Sequence, residues 1–308
     1  MYYPYLRGKQ FELLALRDFA KLISSKGRVF PIVEPVRRSF RGIQLALPAL
    51  HGAAIPLAVV LNPQVGELEG DAEFVLKELG PELSGCTPAF IINRNVAEIR
   101  RQIERHGLRQ VMLIRLPSAV DTDEEIEQLV SMDAVKALLV GDRFKSLRRK
   151  MKGLNKEVVM FSDYFAPLGK NSDYVGVPEE MFSEDYWYYH EEGYQGISDY
   201  TVLPSSFQEG GRLPYAIAIH LTCVREKRVF VEHFVSDSNS DTSNIQGKFA
   251  EAANKALTFF NNPAEDSAAL GMLRDYVRRE EYPGLGMLKK ISILHHMELV
   301  SKILEAER

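Results

Sequence analysis

Short apolar runs alternate with longer helical or polar segments along most of the chain. An amphipathic stretch at 10–24, with apolar residues at helical spacing, comes first. Near-continuous apolar strands separated by helices are typical of a parallel sheet covered on both faces. Eight runs therefore predict a (β/α)8 barrel of the TIM type, and an open doubly wound sheet is the alternative, although no glycine-rich phosphate loop follows the first run. The runs are RVFPIVEP, IPLAVVLNP, TPAFIINR, QVMLIRLP, VKALLVGD, EVVMFSDY, GISDYTVLP and YAIAIHLTC.

The segment YAIAIHLTCVREKRVFVEHFV, residues 215–235, has the pattern of an antiparallel hairpin. A loop of two or four residues at the polar knot REKR pairs Val224 with Val229 and places His220 opposite His233. A loop of three residues would instead put the two rings on opposite faces. The pair is predicted either to be half-exposed on a sheet surface or to form a site, as an acid–base pair or a metal pair.

The pattern also predicts two units. Residues 1–245 would form the barrel, with the hairpin as an arm after strand 8 and with an extended aromatic and acidic loop at 164–195. Residues 246–308 would form helices packed on the barrel, because apolar residues recur there at helical spacing between breaks at Pro263 and Pro283. The predicted helices are 246–261, 266–280 and 286–306.

A polar residue stands near the end of every predicted strand. The carboxyl ends of barrel strands meet at one mouth, so these residues are expected to converge there, although polar residues commonly bound strands in any case. Converging carboxylates and imidazoles can hold a divalent metal or act as general acid and base. The strand-end residues are Glu34, Asn62, Asn93, Arg115, Asp142, Asp163, Asp199 and His220. The predicted catalytic residues are Glu34, Asp163, Asp199, His220 and His233, with Glu34, Asp163 and His220 as ligands of a divalent metal.

Basic residues follow alternate predicted strands and suggest recognition of an anionic ligand through paired N–H donors. The alternative is that they keep helix surfaces solvated. They are Arg37, Arg38, Arg41, Arg94, Arg143 and Lys145. The predicted set for a cofactor or ligand is Arg37, Asn62, Asn93 and Arg115.

His295, His296 and Glu298 near the C-terminus have a spacing that resembles metal ligands. Adjacent residues of a helix point about 100° apart, so at most one of the two histidines can face a shared site. These histidines are predicted to lie on the surface or at an interface.

Composition narrows the class of protein. The 308 residues are 45% hydrophobic and 26% charged, as in an ordinary globular protein, and the net charge of −4 with a pI near 6.0 argues against non-specific coating of nucleic acid. Only Cys86 and Cys223 are present, which suggests no disulfide framework. The opening residues lack a signal-peptide pattern, and Pro48 and Pro56 interrupt the most apolar window, 45–61. The sequence thus predicts a cytoplasmic protein without a membrane span.

The sequence contains the blocks YYPYLRGKQFELLAL, PIVEPVR, VVLNPQVGE, FSEDYWYYHEEGYQGISDYTVL, EGGRLPYAIAIHL, HFVSDSNSDT and GKFAEA. These blocks resemble the bacterial and phage beta protein family, in particular its bacterial branch of similar length. The resemblance covers 2 to about 253, and it implies accessory genes of genomic islands, a nuclease-like partner protein and a role in phage defence or mobile-element conflict. It implies no catalytic residues.

Three functions are consistent with this pattern. The first is a barrel hydrolase or phosphodiesterase that acts on a nucleotide or nucleic acid. The second is a non-catalytic recognition or regulatory subunit of a defence or toxin-type system, which would bind its partner through the 164–195 loop and the C-terminal helices, with homo-oligomers through those helices a further option. The third is a sensor of a small anionic ligand, which ligand-induced stabilisation would detect.

Overall fold

Eight parallel strands close into a barrel, which confirms the predicted (β/α)8 fold. The computed structural model describes residues 1–22, 28–80, 84–116, 122–141, 144–210 and 214–307. In spatial order the barrel strands are β1 (Tyr2–Leu6), β2 (Ile32–Val33), β3 (Ala58–Val60), β4 (Thr87–Ile92), β5 (Val111–Arg115), β6 (Val135–Val140), β7 (Glu157–Phe161) and β9 (Gly196–Asp199). A second, antiparallel sheet consists of β10 (Ala218–Arg225), β11 (Arg228–Val235) and β8 (Glu179–Ser183).

Two strand assignments from the sequence are wrong. The first barrel strand is Tyr2–Leu6, which no predicted run includes, and the predicted eighth run belongs to the second sheet. Pro4 lies in the middle of β1, and a proline within a strand removes a donor and argues against a central position. β1 nevertheless pairs with both β2 and β9 in parallel register.

Alternate residues of the barrel strands fill its interior. Tyr3 and Tyr5 of β1 point inward with Phe161 and Tyr200, and the Tyr5 and Phe161 rings stack with centroids 5.4 Å apart. Small alanines on β3, β4 and β6 contribute to the same buried cluster, beside these large rings. Burying an apolar side chain of this size stabilises the fold by about 1.5–3 kcal/mol, so the interior is a packed core rather than a channel.

Helices cover the outside of the barrel. The predicted opening helix is confirmed as α1, and the three predicted C-terminal helices are confirmed as α8, α9 and α10. The helices are α1 (Gln10–Leu22), α2 (Arg41–Gly52), α3 (Ala72–Leu79), α4 (Val96–Arg105), α5 (Asp123–Val130), α6 (Lys145–Gly153), α7 (Asp185–Tyr188), α8 (Ile245–Phe259), α9 (Ala268–Arg278) and α10 (Leu285–Ala306), with 3-10 turns at Gly66–Leu68, Asn171–Gly176 and Pro263–Glu265.

Helix α10 joins the two sheets, since it contacts β1 of the barrel and β10 of the second sheet. Its position corrects the prediction for His295 and His296, which are 2% and 0% exposed rather than on the surface. Both rings find partners inside the protein: Nε2 of His295 lies 2.8 Å from the Thr222 carbonyl, and Nδ1 of His296 lies 3.2 Å from the Thr222 hydroxyl. The helix is buried on several sides because neighbouring elements surround it.

The hairpin has the shorter loop that the sequence allowed. Arg225 pairs with Arg228, so Glu226 and Lys227 form a two-residue turn, with φ of 47° and 58°. Positive φ at both central residues is the type I′ geometry that matches strand twist, here adopted without glycine. The segment predicted as an extended loop, 164–195, also contains β8, which adds a third strand to the hairpin. Within the described residues, no helix is long and apolar enough to cross a membrane.

Candidate functional site

Glu34 lies at the barrel mouth and is 1% exposed. Its carboxylate accepts hydrogen bonds of 2.7 Å from the Tyr5 hydroxyl and 2.7 Å from the Gln64 backbone N–H, and it pairs with Nε of Arg7 at 3.2 Å. β1 and β2 place these groups, because alternate residues after Tyr5 and Ile32 continue to face inward. A carboxylate with three donors has its acceptor positions largely used, which favours a structural role for this side chain.

Asp163 lies at the same mouth, after β7, but its side chain is exposed. It accepts a hydrogen bond from Ser205. Partial burial raises the pKa of Asp163, while this bond and the positive charge of Arg7 both act to lower it. The barrel mouth therefore does bring two of the predicted carboxylates towards one arginine.

Asp199, the last residue of β9, is fully buried, and its side chain lies on the outer side of the barrel wall with Tyr2. The Tyr2 and Tyr186 hydroxyls donate to it at 2.8 and 2.7 Å, the Thr201 backbone N–H at 2.7 Å, and Nε2 of His296 lies 3.6 Å away. Burial acts to raise the pKa of Asp199, but these hydrogen bonds and His296 outweigh it and hold the pKa below its usual value. This network ties the barrel to helix α10 and to the segment before β9.

The predicted ligand-binding residues are held by neighbours within the fold. They do not converge on one group. The side-chain amide of Asn62 bonds the backbone of Ile91 at 2.8 Å, and Asn93 donates to Gln64 at 2.9 Å. The Arg115 guanidinium lies 3.6 Å from the Phe144 ring centroid, and Arg37 pairs with Glu67 at 2.7 Å. Arg38 likewise pairs with Asp71 at 3.1 Å. Asp142 and Arg143 lie outside the described residues.

The geometry does not bring the predicted metal set of Glu34, Asp163 and His220 together as one group within the described residues. Across the described ranges, no group of three or more His, Cys, Asp or Glu side chains could hold a metal ion. His220 lies on the second sheet rather than on a barrel strand, and Glu34 is already held by donors. Catalytic roles for the individual predicted residues stay predictions.

The two hairpin histidines do meet, as the register predicted. Their Nδ1 atoms are 2.6 Å apart, across the paired positions of β10 and β11. The Tyr174 ring lies 4.7 Å from the His220 ring and 4.4 Å from the His233 ring, and Phe165 closes another side. Burial in this aromatic setting lowers the pKa of His220 to about 3 and that of His233 to about 4, so both rings are neutral at pH 7.

A cavity of about 1080 Å³ lies beside this pair, and His220 contributes to its wall. The loops after the seventh and eighth barrel strands form two of its sides, and the first turns of α10 form another. Lys170 and Lys289 line it, with Phe165, Tyr174 and Tyr215 as aromatic walls. Among the described lining residues there is no aspartate or glutamate.

Sequence reasoning missed several of these residues. Tyr5 lies in β1 and Arg7 directly follows it, so both were missed with that strand. The alternation of tyrosines in YYPYLR was the signal that could have predicted the strand. Lys170, Lys289 and Tyr174 come from a loop and a helix far apart in the chain, and no spacing in the sequence indicates that they share a cavity.

The fold and cavity define a (β/α)8 barrel protein with a loop-bounded pocket at the carboxyl ends of its last two strands. No family model and no curated protein matches the chain. It is similar to the structure of an HpcH/HpaI aldolase from Desulfitobacterium hafniense, with TM-score 0.41 and 12% identity over 64% of this chain and 85% of that one. It is also similar to CdNal from Clostridium difficile in complex with mannosamine, with TM-score 0.46 and 8% identity over 100% of this chain and 97% of that one.

These findings correct the predicted function. Neither solved structure is described as a nucleotide hydrolase or phosphodiesterase, or as a subunit of a defence system. The predicted hydrolase is therefore wrong. At such low identity and TM-score, neither likeness assigns an activity to this chain. The resemblance to the beta protein family, the nuclease-like partner, homo-oligomers and the cytoplasmic location stay predictions.

Proposed function

We propose that this protein binds a small anionic molecule in the cavity beside His220. The observation that carries the proposal is the charge of the lining: two lysines and a neutral histidine face the cavity, and none of the described lining residues carries a carboxylate. Among the described residues, neither Lys170 nor Lys289 has a carboxylate oxygen within 4.0 Å of Nζ. Two unpaired cations at one cavity favour an anionic occupant.

The backbone around the cavity adds to this field. In (β/α)8 barrels an anion site commonly forms from the loops after strands 7 and 8 with the N-terminus of an additional helix. The corresponding loops bound this cavity, and α10 begins at Leu285, which lines it. A helix N-terminus carries a partial positive charge and unpaired N–H groups, so the start of α10 would favour the same ligand as the lysines do.

The size and walls of the cavity define the rest of the ligand. A volume of about 1080 Å³ is at the upper end of small-molecule pockets, and Phe165, Tyr174 and Tyr215 offer apolar faces. The ligand class is thus an organic molecule with a carboxylate or phosphate group and a ring or short carbon chain, rather than a bare ion.

The test is thermal unfolding of the full chain with a panel of small carboxylates and phosphate esters, each beside its neutral amide or alcohol. A ligand that binds only the folded state raises stability by about 2.7 kcal/mol at a hundred times its dissociation constant. We expect stabilisation by members of the anionic group only, and its loss in the double variant Lys170→Gln/Lys289→Gln.

The matched control is Lys77→Gln, because Lys77 lies on α3 with an 80% exposed side chain and does not line the cavity. It should keep the full response to anions. An equal response in the double variant, or equal stabilisation by the neutral analogues, would contradict the proposal.

A further inference from the structure

Three side chains from the antiparallel sheet form a line that ends at the cavity. Nδ1 of His220 lies 2.6 Å from Nδ1 of His233, and Nε2 of His233 lies 3.4 Å from Oε1 of Glu180. Neither that nitrogen nor that oxygen has a hydrogen-bond partner, although both are buried. A distance of 3.4 Å is long for a hydrogen bond, and such bonds often shorten when a ligand binds.

The carboxylate fixes where the protons lie along this line. An ionised Glu180 only accepts, so it favours the proton of neutral His233 on Nε2, which leaves Nδ1 of His233 as an acceptor. The short contact then requires His220 to donate from Nδ1. Each neutral imidazole carries one N–H, so Nε2 of His220 is left with a free lone pair.

We propose that Glu180, His233 and His220 form a proton relay in which Nε2 of His220 is the base that faces the bound anion. The inference rests on the proposed function, since His220 lines the proposed binding cavity. It narrows the ligand to an anion that also carries a proton donor, such as a hydroxyl group, within reach of His220.

The proton transfer is balanced along the line. The ligand hydroxyl gives its proton to Nε2 of His220, and the Nδ1 proton of His220 passes to Nδ1 of His233. The Nε2 proton of His233 then passes to Oε1 of Glu180, which ends as the neutral acid while the ligand oxygen becomes an alkoxide. Both rings finish neutral, so no imidazolium has to persist in the aromatic surroundings.

The charges around the line suit this transfer. Burial raises the pKa of Glu180, although the Ala166 N–H opposes it, and a raised pKa makes this carboxylate a better final acceptor. Lys289 from α10 acts on His220 and opposes a positive charge there, which favours the relay over an isolated imidazolium. Tyr174 packs on both rings, and its pKa is raised by burial, so it remains a neutral phenol.

The first measurement is the tautomeric state of each ring, from ¹⁵N-histidine NMR spectra of the full chain without ligand. We expect the Nδ1–H form for His220 and the Nε2–H form for His233, with His220→Phe used for assignment. Glu180→Leu should remove this preference. Glu179→Leu is the matched control, because Glu179 is next along β8, points to the other face and pairs with Arg225.

The second measurement compares inorganic phosphate with sulfate as probes, by calorimetric titration at pH 7. Both are tetrahedral anions, but only phosphate carries a hydroxyl that can donate to His220. We expect phosphate to bind about tenfold more tightly than sulfate, the equivalent of one good hydrogen bond. His220→Phe should abolish this preference, so that phosphate and sulfate bind with equal affinity.

The outcomes separate the two proposals. A His220 ring that carries its proton on Nε2 overturns the relay, even if anions bind. If phosphate and sulfate bind with equal affinity, the relay is also overturned. If the binding of both ions is then lost in Lys170→Gln/Lys289→Gln, the anion site still stands. If phosphate, sulfate and every carboxylate and phosphate ester of the panel fail to bind, the anion site is overturned and, with it, the assignment of His220 as a base for an anionic ligand.

Discussion

The protein contains two pairs of histidines that differ in what their nitrogens reach. In the pair on α10, every ring nitrogen has a partner inside the fold; for example, Nδ1 of His295 lies 2.9 Å from the Ser267 hydroxyl and Nε2 of His296 lies 3.4 Å from the Tyr186 hydroxyl. In the hairpin pair, His220 and His233 contact each other, but one end lies at a cavity and the other beside an unbonded carboxylate oxygen. A fully satisfied network is typical of structure, whereas an unsatisfied one is a candidate site.

The largest expected effect breaks the satisfied network. Asp199→Ala removes the acceptor of two tyrosine hydroxyls and the partner of His296, all buried. We expect a loss of about 3–5 kcal/mol in the free energy of unfolding, measured by chemical denaturation. The control Asp163→Ala changes an exposed carboxylate and should stay within about 0.5 kcal/mol. Similar losses in both variants would show that Asp199 does not tie the elements together.

A second effect depends on pH and on His295. Burial lowers the pKa of His295 to about 4, so the folded state keeps this ring neutral while the unfolded chain binds a proton below about pH 6.5. Its contribution to stability is present above pH 6.5 and is lost as the pH falls towards 4. Between pH 6.5 and 5 the loss should be about 1.5 kcal/mol larger in the wild type than in His295→Gln, by denaturation at the two pH values. Parallel curves would contradict this origin.

The hairpin pair should give a smaller effect that depends on both partners. His220→Leu alone leaves Nδ1 of His233 without its partner, and we expect a loss of about 1–2 kcal/mol. The double variant His220→Leu/His233→Leu removes both polar groups, so it should recover most of this loss or exceed wild-type stability. A double-mutant cycle measures the difference. If the two losses simply add, the pair has no mutual stabilisation and the contrast with the α10 pair fails.

The smallest effect concerns the turn that sets the pair in register. Glu226 and Lys227 adopt positive φ without glycine. Glu226→Asn/Lys227→Gly supplies the residues that a type I′ turn prefers and should raise the free energy of unfolding by about 0.5 kcal/mol, seen as a higher Tm. Part of the gain is offset because Lys227 also pairs with Glu307 at the surface. A lower Tm would show that the native turn residues are better suited to this hairpin.

Local sequence determined much of the architecture. Apolar runs separated by helical patterns predicted seven of the eight barrel strands, β2 to β7 and β9, because a strand buried on both faces must be apolar throughout. The pairing of His220 with His233 was also available from the sequence, since strand alternation and a two-residue turn fix which residues oppose each other. The first strand could not be predicted in this way, because Pro4 lowers the local strand propensity of β1. The pairing of β1 depends instead on its neighbours β2 and β9.

Only the tertiary structure decided which polar residues are structural and which line the cavity. In the sequence, Asp199 and Glu34 stand at strand ends, where a catalytic residue would be expected. In the structure, hydroxyls and an N–H group from distant segments donate to their oxygens. Lys170 and Lys289 share one cavity only because helix α10 packs against the hairpin. Hydrogen-bond satisfaction and cavity shape depend on atoms far apart in the chain, and no local pattern encodes those distances.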